Sequence, residues 1–307
     1  MTPDPRLYCD YPQLAGLRAQ EPLCQLPPFH RLRQLISGQH VSRLRGRGLN
    51  FEELRHYRQG DDIRQLDWRV TFRTGKPHVR VYNEEKDHHV LLCVDQRASM
   101  FFASLDTMKS VVAAQSAALL GWSVIRHSDR LALCLFNDDD VAVNTPIRSQ
   151  RGYLTQLRQL AQFNLALNVN SRPEQTSGLV RLLDQLLQRH ERNALIVIAS
   201  DFHDCDDAVI SRFQQLQRHN RALCILISDP LEHTLQNSDW VISDGIHQTQ
   251  IATGKVLETV NELLIRQCEE RHQQLQRLMQ MSHLPLIELD TSGHHLHQLR
   301  HALGVAL

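Results

Sequence analysis

Apolar residues follow two rhythms from residue 89 onward: short unbroken runs alternate with longer stretches in which apolar positions recur every third or fourth residue. The unbroken runs are Val90-Leu-Leu-Cys-Val94, ending at Asp95, then Leu195-Ile-Val-Ile-Ala199, ending at Ser200-Asp201, and Leu223-Cys-Ile-Leu-Ile227, ending at Ser228-Asp229. Runs of this length, β-branched and without polar interruption, predict strands buried on both faces, as in a parallel sheet. A fourth run, Leu131 to Phe136, leads into the turn signal Asn137 to Asp140 and a short returning edge strand at 141–143. Between the runs the helical spacing predicts helices at 105–126, 153–163, 176–190, 208–219 and 256–281. The first carries Ala113, Ala114, Ala117 and Ala118 for close packing, and the third a stripe of Leu179, Leu182, Leu183, Leu186 and Leu187. A hairpin with Asp244-Gly245 at its turn is expected at 240–251, followed at the end by a strand at 284–289 and a closing helix. The alternation predicts an α/β fold: a doubly wound, Rossmann-like, mostly parallel sheet over 88–307, with a β-hairpin inserted near 236–252 and an irregular/β N-terminal segment packing on it over 1–87.

The first 87 residues read differently. The opening 28 are proline-rich without sustained periodicity and predict an irregular arm, with a short helix following at 29–36. Residues 46–84 then carry Gly46, Gly48, Phe51, Leu54-Arg55, Tyr57, Gly60-Asp61-Asp62, Arg64, Leu66-Asp67-Trp68 and Arg73. Gly60-Asp61-Asp62 is turn chemistry, and the surrounding acids and arginines are spaced to form ion pairs. Arg55, Asp61, Asp62, Arg64, Asp67 and Arg73 thus have two roles open: bracing a loop-rich segment on the main domain, or, with Trp68, meeting a partner.

Charge sharpens the second role. The 307-residue chain has no net charge, yet residues 31–80 hold twelve basic residues against five acidic ones, which leaves that segment at +7 and the rest at −7. A basic segment of this kind meets an acidic partner, a nucleic acid or the acidic remainder of its own chain. The seven cysteines (Cys9, Cys24, Cys93, Cys134, Cys205, Cys224, Cys268) are odd in number and never spaced C-x-x-C. Together with Cys93, Cys134 and Cys224 inside apolar runs, this points to a reducing compartment. The amino terminus has Asp, Pro and Arg where a signal peptide needs an apolar core. The softest stretch, 111–125, is interrupted by Gln115, Ser116 and Ser123, against the roughly twenty apolar residues a bilayer span requires. The expectation is a cytoplasmic protein.

Enzymatic motifs are thin. There is no G-x-x-x-x-G-K-[ST] loop and no Gly-x-Ser-x-Gly elbow, and Gly46-Arg47-Gly48 lacks the strand-before, helix-after setting of a dinucleotide fingerprint. The eighteen histidines, including His88-His89 and His294-His295-x-His297, match no zinc spacing and read as surface histidine. His203, just past Asp201, is placed to touch a partner.

The strand-end residues carry a resemblance. Asp95-Gln96-Arg97-Ala98-Ser99, Thr176 and Ser200-Asp201 resemble the metal-ion-dependent adhesion site of a von Willebrand factor type A domain, whose first element is Asp-x-Ser-x-Ser. Residues 46–84 are similar to the signature of the bacterial domain-of-unknown-function family number fifty-eight, which joins such a segment to a von Willebrand A-like domain. The resemblance implies a non-enzymatic adaptor that works with MoxR-type AAA+ ATPases and their client proteins, docking at the strand ends. A Mg²⁺ ion there would want six oxygens in near-octahedral geometry. Arg97, however, stands where the first serine belongs, and a guanidinium has no acceptor and is permanently charged. Facing inward between Asp95 and Asp201, it is a built-in cation and the metal is lost. Facing outward, it leaves Asp95, Ser99, Thr176 and Asp201 to hold a weakened ion. The repulsion between an arginine and a divalent ion favours the first, a degenerate site with no cofactor. Two rival readings stay open: a metal-dependent hydrolase using Asp95, Asp201 and Asp229, and salt-sensitive nucleic-acid binding through Arg43, Arg45, Arg47, Arg55 and Arg58.

Overall fold

The computed structural model describes residues 4–20, 49–58, 61, 64, 66–84, 89–169, 171, 177–232, 240–243, 248–251, 259–263, 265–266, 270 and 285–303. The chain divides into two compact units, Gln39–Asp87 on its own and Met1–Gly38 together with His88–Leu307.

The larger unit is built on a six-stranded sheet in the order β10-β7-β6-β3-β4-β5. Its strands are β3 (His89–Asp95), β4 (Arg130–Phe136), β5 (Val141–Val143), β6 (Leu195–Ser200), β7 (Arg221–Ser228) and β10 (Leu286–Asp290). All neighbours are parallel except β4 and β5, which the turn at 137–140 makes antiparallel. The fold is therefore the mixed α/β, mostly parallel arrangement that the apolar runs predict. The chain runs from β3 outward through β4 to β5, then returns to the other side of β3 to lay down β6, β7 and β10. The order reverses between β3 and β6, and connections leaving those two strands go to opposite sides, opening a crevice at their carboxyl ends.

Period-two alternation splits the strands between two cores. Val90, Leu92, Val94, Leu133, Val197 and Ile225 face one, and Leu91, Cys93, Cys134, Ile196, Ile198 and Cys224 face the other. On the first side lie α3 (Lys109–Arg126), α4 (Gln150–Ala166) and α7 (His295–Ala302); on the second, α5 (Gly178–Gln188) and α6 (Asp207–Gln217). Helix α3 is buried almost all round, as its alanine-rich, nearly charge-free sequence requires. Gly121 leaves room for the Tyr153 ring, whose hydroxyl donates to the Ala118 carbonyl at 2.9 Å.

Three local expectations are revised. The helix expected from residue 105 begins at Lys109, because the preceding backbone is engaged elsewhere: Asp106 and Thr107 N–H donate to the Thr291 carbonyl and Met108 N–H to that of Arg6. The arm is not irregular throughout. Residues Tyr11–Gly16 form helix α1, closed by a capping box between Asp10 and Gln13, and Cys9, Leu14 and Leu17 join the first core. The expected hairpin is present as β8 (Trp240–Ser243) paired antiparallel with β9 (Gln248–Ile251), its turn lying outside the described residues. The helices expected at 29–36 and over most of 256–281 also lie outside them, although 259–263 and 265–266 are helical.

The smaller unit supplies the β part of the irregular/β segment expected there. Strands β1 (Leu49–His56) and β2 (His78–Glu84) form an antiparallel ribbon with a bulge between Phe51 and Glu53. Helix α2 (Trp68–Thr74) lies between them in sequence, capped by the Asp67 carboxylate on Arg69 and Val70 N–H and ended by Gly75 in the left-handed conformation at φ 71°.

Candidate functional site

The reversal of strand order brings Asp95, the last residue of β3, beside Ser200 and Asp201 at the end of β6. All three are buried, and so is the next loop residue, Arg97, at 6 % exposure. Arg97 faces inward. Its Nη2 donates to Asp95 Oδ2 at 2.7 Å and its Nε reaches Asp95 Oδ1 at 3.0 Å. The same Nη2 lies 3.5 Å from Asp201 Oδ1 and 3.5 Å from Ser200 Oγ. Nη1 pairs with Asp204 Oδ2 at 2.6 Å. Asp95 also accepts the Ser200 hydroxyl at 2.6 Å and the Arg97 backbone N–H at 3.0 Å, so its oxygens are fully engaged.

A second cation, which sequence reasoning missed, enters from the start of α3. Lys109 is 2 % exposed, and its Nζ sits 3.2 Å from Asp201 Oδ2 and 2.5 Å from Glu232 Oε1. Asp201 is thus held between two cations, one on each oxygen. Burial alone would raise its pKa, but Lys109 and then Arg97 prevail and hold the carboxyl well below the usual carboxylate range. Burial likewise opposes charge on Lys109 and on Arg97, yet Asp201 with Glu232, and Asp95 with Asp201 and Asp204, keep both raised. For Asp95 burial outweighs Arg97 and Ser200, and its pKa is pushed up.

The surrounding loops lock this arrangement. A Cβ on Gly178, the first residue of α5, would run into the Asn137 carbonyl oxygen and lie 3.2 Å from Arg97 Cδ, so the path of the arginine needs glycine there. The Arg97 guanidinium also lies over the Phe136 ring, 5.6 Å from its centroid. Asp138 accepts the Ala98 N–H at 2.6 Å. Gln96, fully buried, donates to the Asp95 and Ser110 carbonyls and accepts from Asn164, whose own carbonyl oxygen takes the Cys9 N–H at 2.8 Å. The site loop is thereby tied to α4 and the amino-terminal arm. After β6 the buried Phe202 takes a left-handed φ of 49°, which exposes His203 while its N–H still caps Asp201 Oδ1 at 3.1 Å.

The other strand-end residues fall into place around this cage. Ser99 Oγ is buried without satisfactory hydrogen-bond geometry, although its nearness to Asp201 adds to the depression of that carboxyl. Thr176 lies outside the described residues. Asp229 does not join Asp95 and Asp201 on a common centre. Its oxygens accept the Ser104 N–H at 2.7 Å, the Thr291 hydroxyl at 2.6 Å and the Leu231 N–H at 2.9 Å, so it clamps three loops together. A divalent ion does not fit here, since Arg97 Nη2 fills the gap between Asp95 and Asp201 and Lys109 takes the far oxygen of Asp201. Among the described residues no three His, Cys, Asp or Glu side chains are grouped to hold a metal ion.

In the smaller unit the residues singled out from sequence separate into two kinds. Arg55 is bidentate on Asp61 at 2.8 and 2.7 Å, and Asp67 is the buried cap of α2; these brace. Trp68 and Phe72, at 57 % and 82 % exposure, stand one turn apart with ring centroids 6.3 Å from each other. Arg64, Arg69 and Arg73 are exposed. Phe72 was not singled out from sequence, though its i, i+4 spacing from Trp68 was there to be read. Asp62 and the arginines at 43, 45 and 47 lie outside the described residues.

Comparison with known proteins gives no activity to transfer. An uncharacterized protein of Mycobacterium bovis and two of Mycobacterium tuberculosis are each 32% identical to this chain over 196 residues, which is 63% of this chain and 58% of theirs. The chain therefore spans 58% of the length of the curated relatives it matches. No helix among the described residues is long and apolar enough to cross a membrane. A solved structure described as an uncharacterized membrane spanning protein from Vibrio fischeri matches at 16% identity with a TM-score of 0.23, over 62% of this chain and 98% of that one. A family model described as "Protein of unknown function DUF58" matches residues 53–273, a span that begins in β1, takes in both β3 and β6 with their cage of charges, and continues past β9; the chain belongs to the DUF58 family.

Proposed function

We propose that this protein is a non-enzymatic interaction module of the cytoplasm: a von Willebrand A-like body with a degenerate adhesion site, which docks a MoxR-type AAA+ ATPase or its client at the strand-end edge. The observation that carries this reading is the neutralised state of that edge. Asp95 and Asp201 lie at the reversal point, where open α/β sheets bind their ligands, yet each is engaged by a buried cation. A general base needs a free carboxylate, and a Lewis acid needs an open position. The cage offers neither, while its rim carries His203, exposed and placed for recognition, beside the part-exposed Asp204 and Glu232 that the cage cations hold. The pair Trp68 and Phe72, with Arg69 and Arg73 beside them, supplies a second surface suited to an aromatic-anchored contact. Neither rival reading gains support: Asp229 is spent on loop closure, and Arg55 is spent on Asp61.

The test is affinity capture of the tagged full chain from its own cells, with magnesium or with chelator. The expected result is recovery of an AAA+ ATPase that chelator does not reduce and that His203→Glu with Asp204→Asn lowers at least tenfold. Loss with Trp68→Ala and Phe72→Ala instead would move the docking surface to the smaller unit. Failure to recover any AAA+ ATPase in every arm would overturn the proposed partner.

A further inference from the structure

The cage has a charge arithmetic that a metal site would also satisfy. Three oxygens, Asp95 Oδ2, Asp201 Oδ1 and Ser200 Oγ, converge on the single atom Arg97 Nη2 at 2.7, 3.5 and 3.5 Å. Two more, Asp201 Oδ2 and Glu232 Oε1, converge on Lys109 Nζ at 3.2 and 2.5 Å. Two monovalent side chains thus supply the charge that one divalent ion would.

Local rules argue that Lys109 is placed for this contact and not for its helix. It is the first residue of the eighteen-residue α3 and follows Met108, which makes no side-chain cap. A cation at the positive end of a helix is unfavourable, and Met is a poor cap. What holds Lys109 there is tertiary: two carboxylates and the Phe102 ring, 5.9 Å from Nζ. Arg97 is held in the same way, by Phe136 and by the space that Gly178 leaves.

We infer that Arg97 and Lys109 jointly supply the charge of a divalent cation, so that the strand-end site is charged permanently from within and takes up metal once both side chains are removed. The inference does not depend on which partner docks. Replacing the two cations leaves Asp95, Asp201 and Asp204 without Arg97, and Asp201 and Glu232 without Lys109, a charge deficit of two. An oxygen-ligated divalent ion restores that charge at ligand distances of about 2.0–2.6 Å, so Asp201 Oδ1 and Ser200 Oγ, each 3.5 Å from Nη2, must close in by roughly 1 Å while Asp95 Oδ2 and Glu232 Oε1 move less.

The experiment compares the wild-type chain, Arg97→Ser with Lys109→Met, and the same double variant carrying Asp201→Asn, using Mn²⁺ as the probe in calorimetry and thermal melts. Wild type is expected to give no binding heat and the same melting temperature in millimolar Mn²⁺ as in chelator. The double variant is expected to bind one Mn²⁺ with Kd on the order of 10⁻⁴ M. At a hundredfold excess over Kd its melting temperature should rise by about 5 °C, and Asp201→Asn should abolish both effects. If the double variant is unfolded in chelator, restoration of its circular dichroism by Mn²⁺ counts as the same result. Stoichiometric Mn²⁺ binding by wild type that Asp201→Asn removes would overturn the inference. So would a folded double variant indifferent to Mn²⁺, or an unfolded one that neither Mn²⁺ nor Ca²⁺ restores.

Discussion

At the scale of single residues, the decisive fact is that Lys109 and Asp201 are both buried and each depends on the other for its charge. Removing one partner of such a pair leaves an uncompensated charge in a low-dielectric setting, which costs far more than the pair contributes when intact. Lys109→Met is therefore expected to destabilise the protein by about 3–5 kcal/mol, read as a drop in urea midpoint at neutral pH. Adding Asp201→Asn should return part of that loss, and a double-mutant cycle gives the coupling. His295, expected from sequence at the surface, is instead buried at 3 % exposure against the first core and offers a separate, pH-dependent case. Burial lowers its pKa from 6.5 to about 4, and its Nε2 meets Gln115 Oε1 at 2.9 Å while Nδ1 has no partner. A folded-state pKa below the unfolded value means that the contribution is complete above about 6.5 and is lost as pH falls toward the folded pKa. On the order of 3 kcal/mol should disappear across that window. His295→Asn is expected to flatten the stability profile between pH 6.5 and 4; a profile that keeps its slope would refute the assignment.

At the scale of elements, periodicity was a good guide to what forms and a poor one to where it begins. The apolar runs became β3, β4, β6 and β7 because nothing but a sheet buried on both faces accepts them. Helix α3 instead starts at Lys109, since its preceding residues hydrogen-bond to Thr291 and Arg6, partners far away in sequence. The junction of α5 with the cage shows the same dependence. Gly178 has an ordinary helical setting, and only the neighbouring Asn137 carbonyl and Arg97 forbid a side chain. Gly178→Ala, which helix propensity alone would favour, is expected to destabilise by about 1–3 kcal/mol through overpacking, measured by thermal or urea unfolding. In the smaller unit the β part of the irregular/β segment takes the form of a bulged ribbon, Leu49–His56 on His78–Glu84, with a capped helix between the two strands in sequence.

At the scale of the whole molecule, the two compact units differ in chemistry. The carboxyl ends of the strands are stabilised by buried charge, whereas Trp68 and Phe72 stand exposed on a short helix. Trp68→Ala with Phe72→Ala is therefore expected to leave the unfolding midpoint within about 0.5 kcal/mol of wild type, whatever it does to partner capture. A larger loss would show that these rings pack in the native protein. The sequence by itself determined the α/β class, the order of the strands along the chain, the family signature and the three acidic strand ends, because burial on two faces and turn chemistry are written locally, in composition and period. It also supplied Arg97 as the basic residue that follows the first acidic strand end. Only the tertiary structure decided that Arg97 turns inward, that Lys109 arrives from another element to share Asp201, and that Asp229 is occupied by loop closure instead of joining the other two. Those outcomes depend on which strands lie side by side. Strand order in a parallel sheet is set by long connections packing over the two faces, and no local run of residues encodes it.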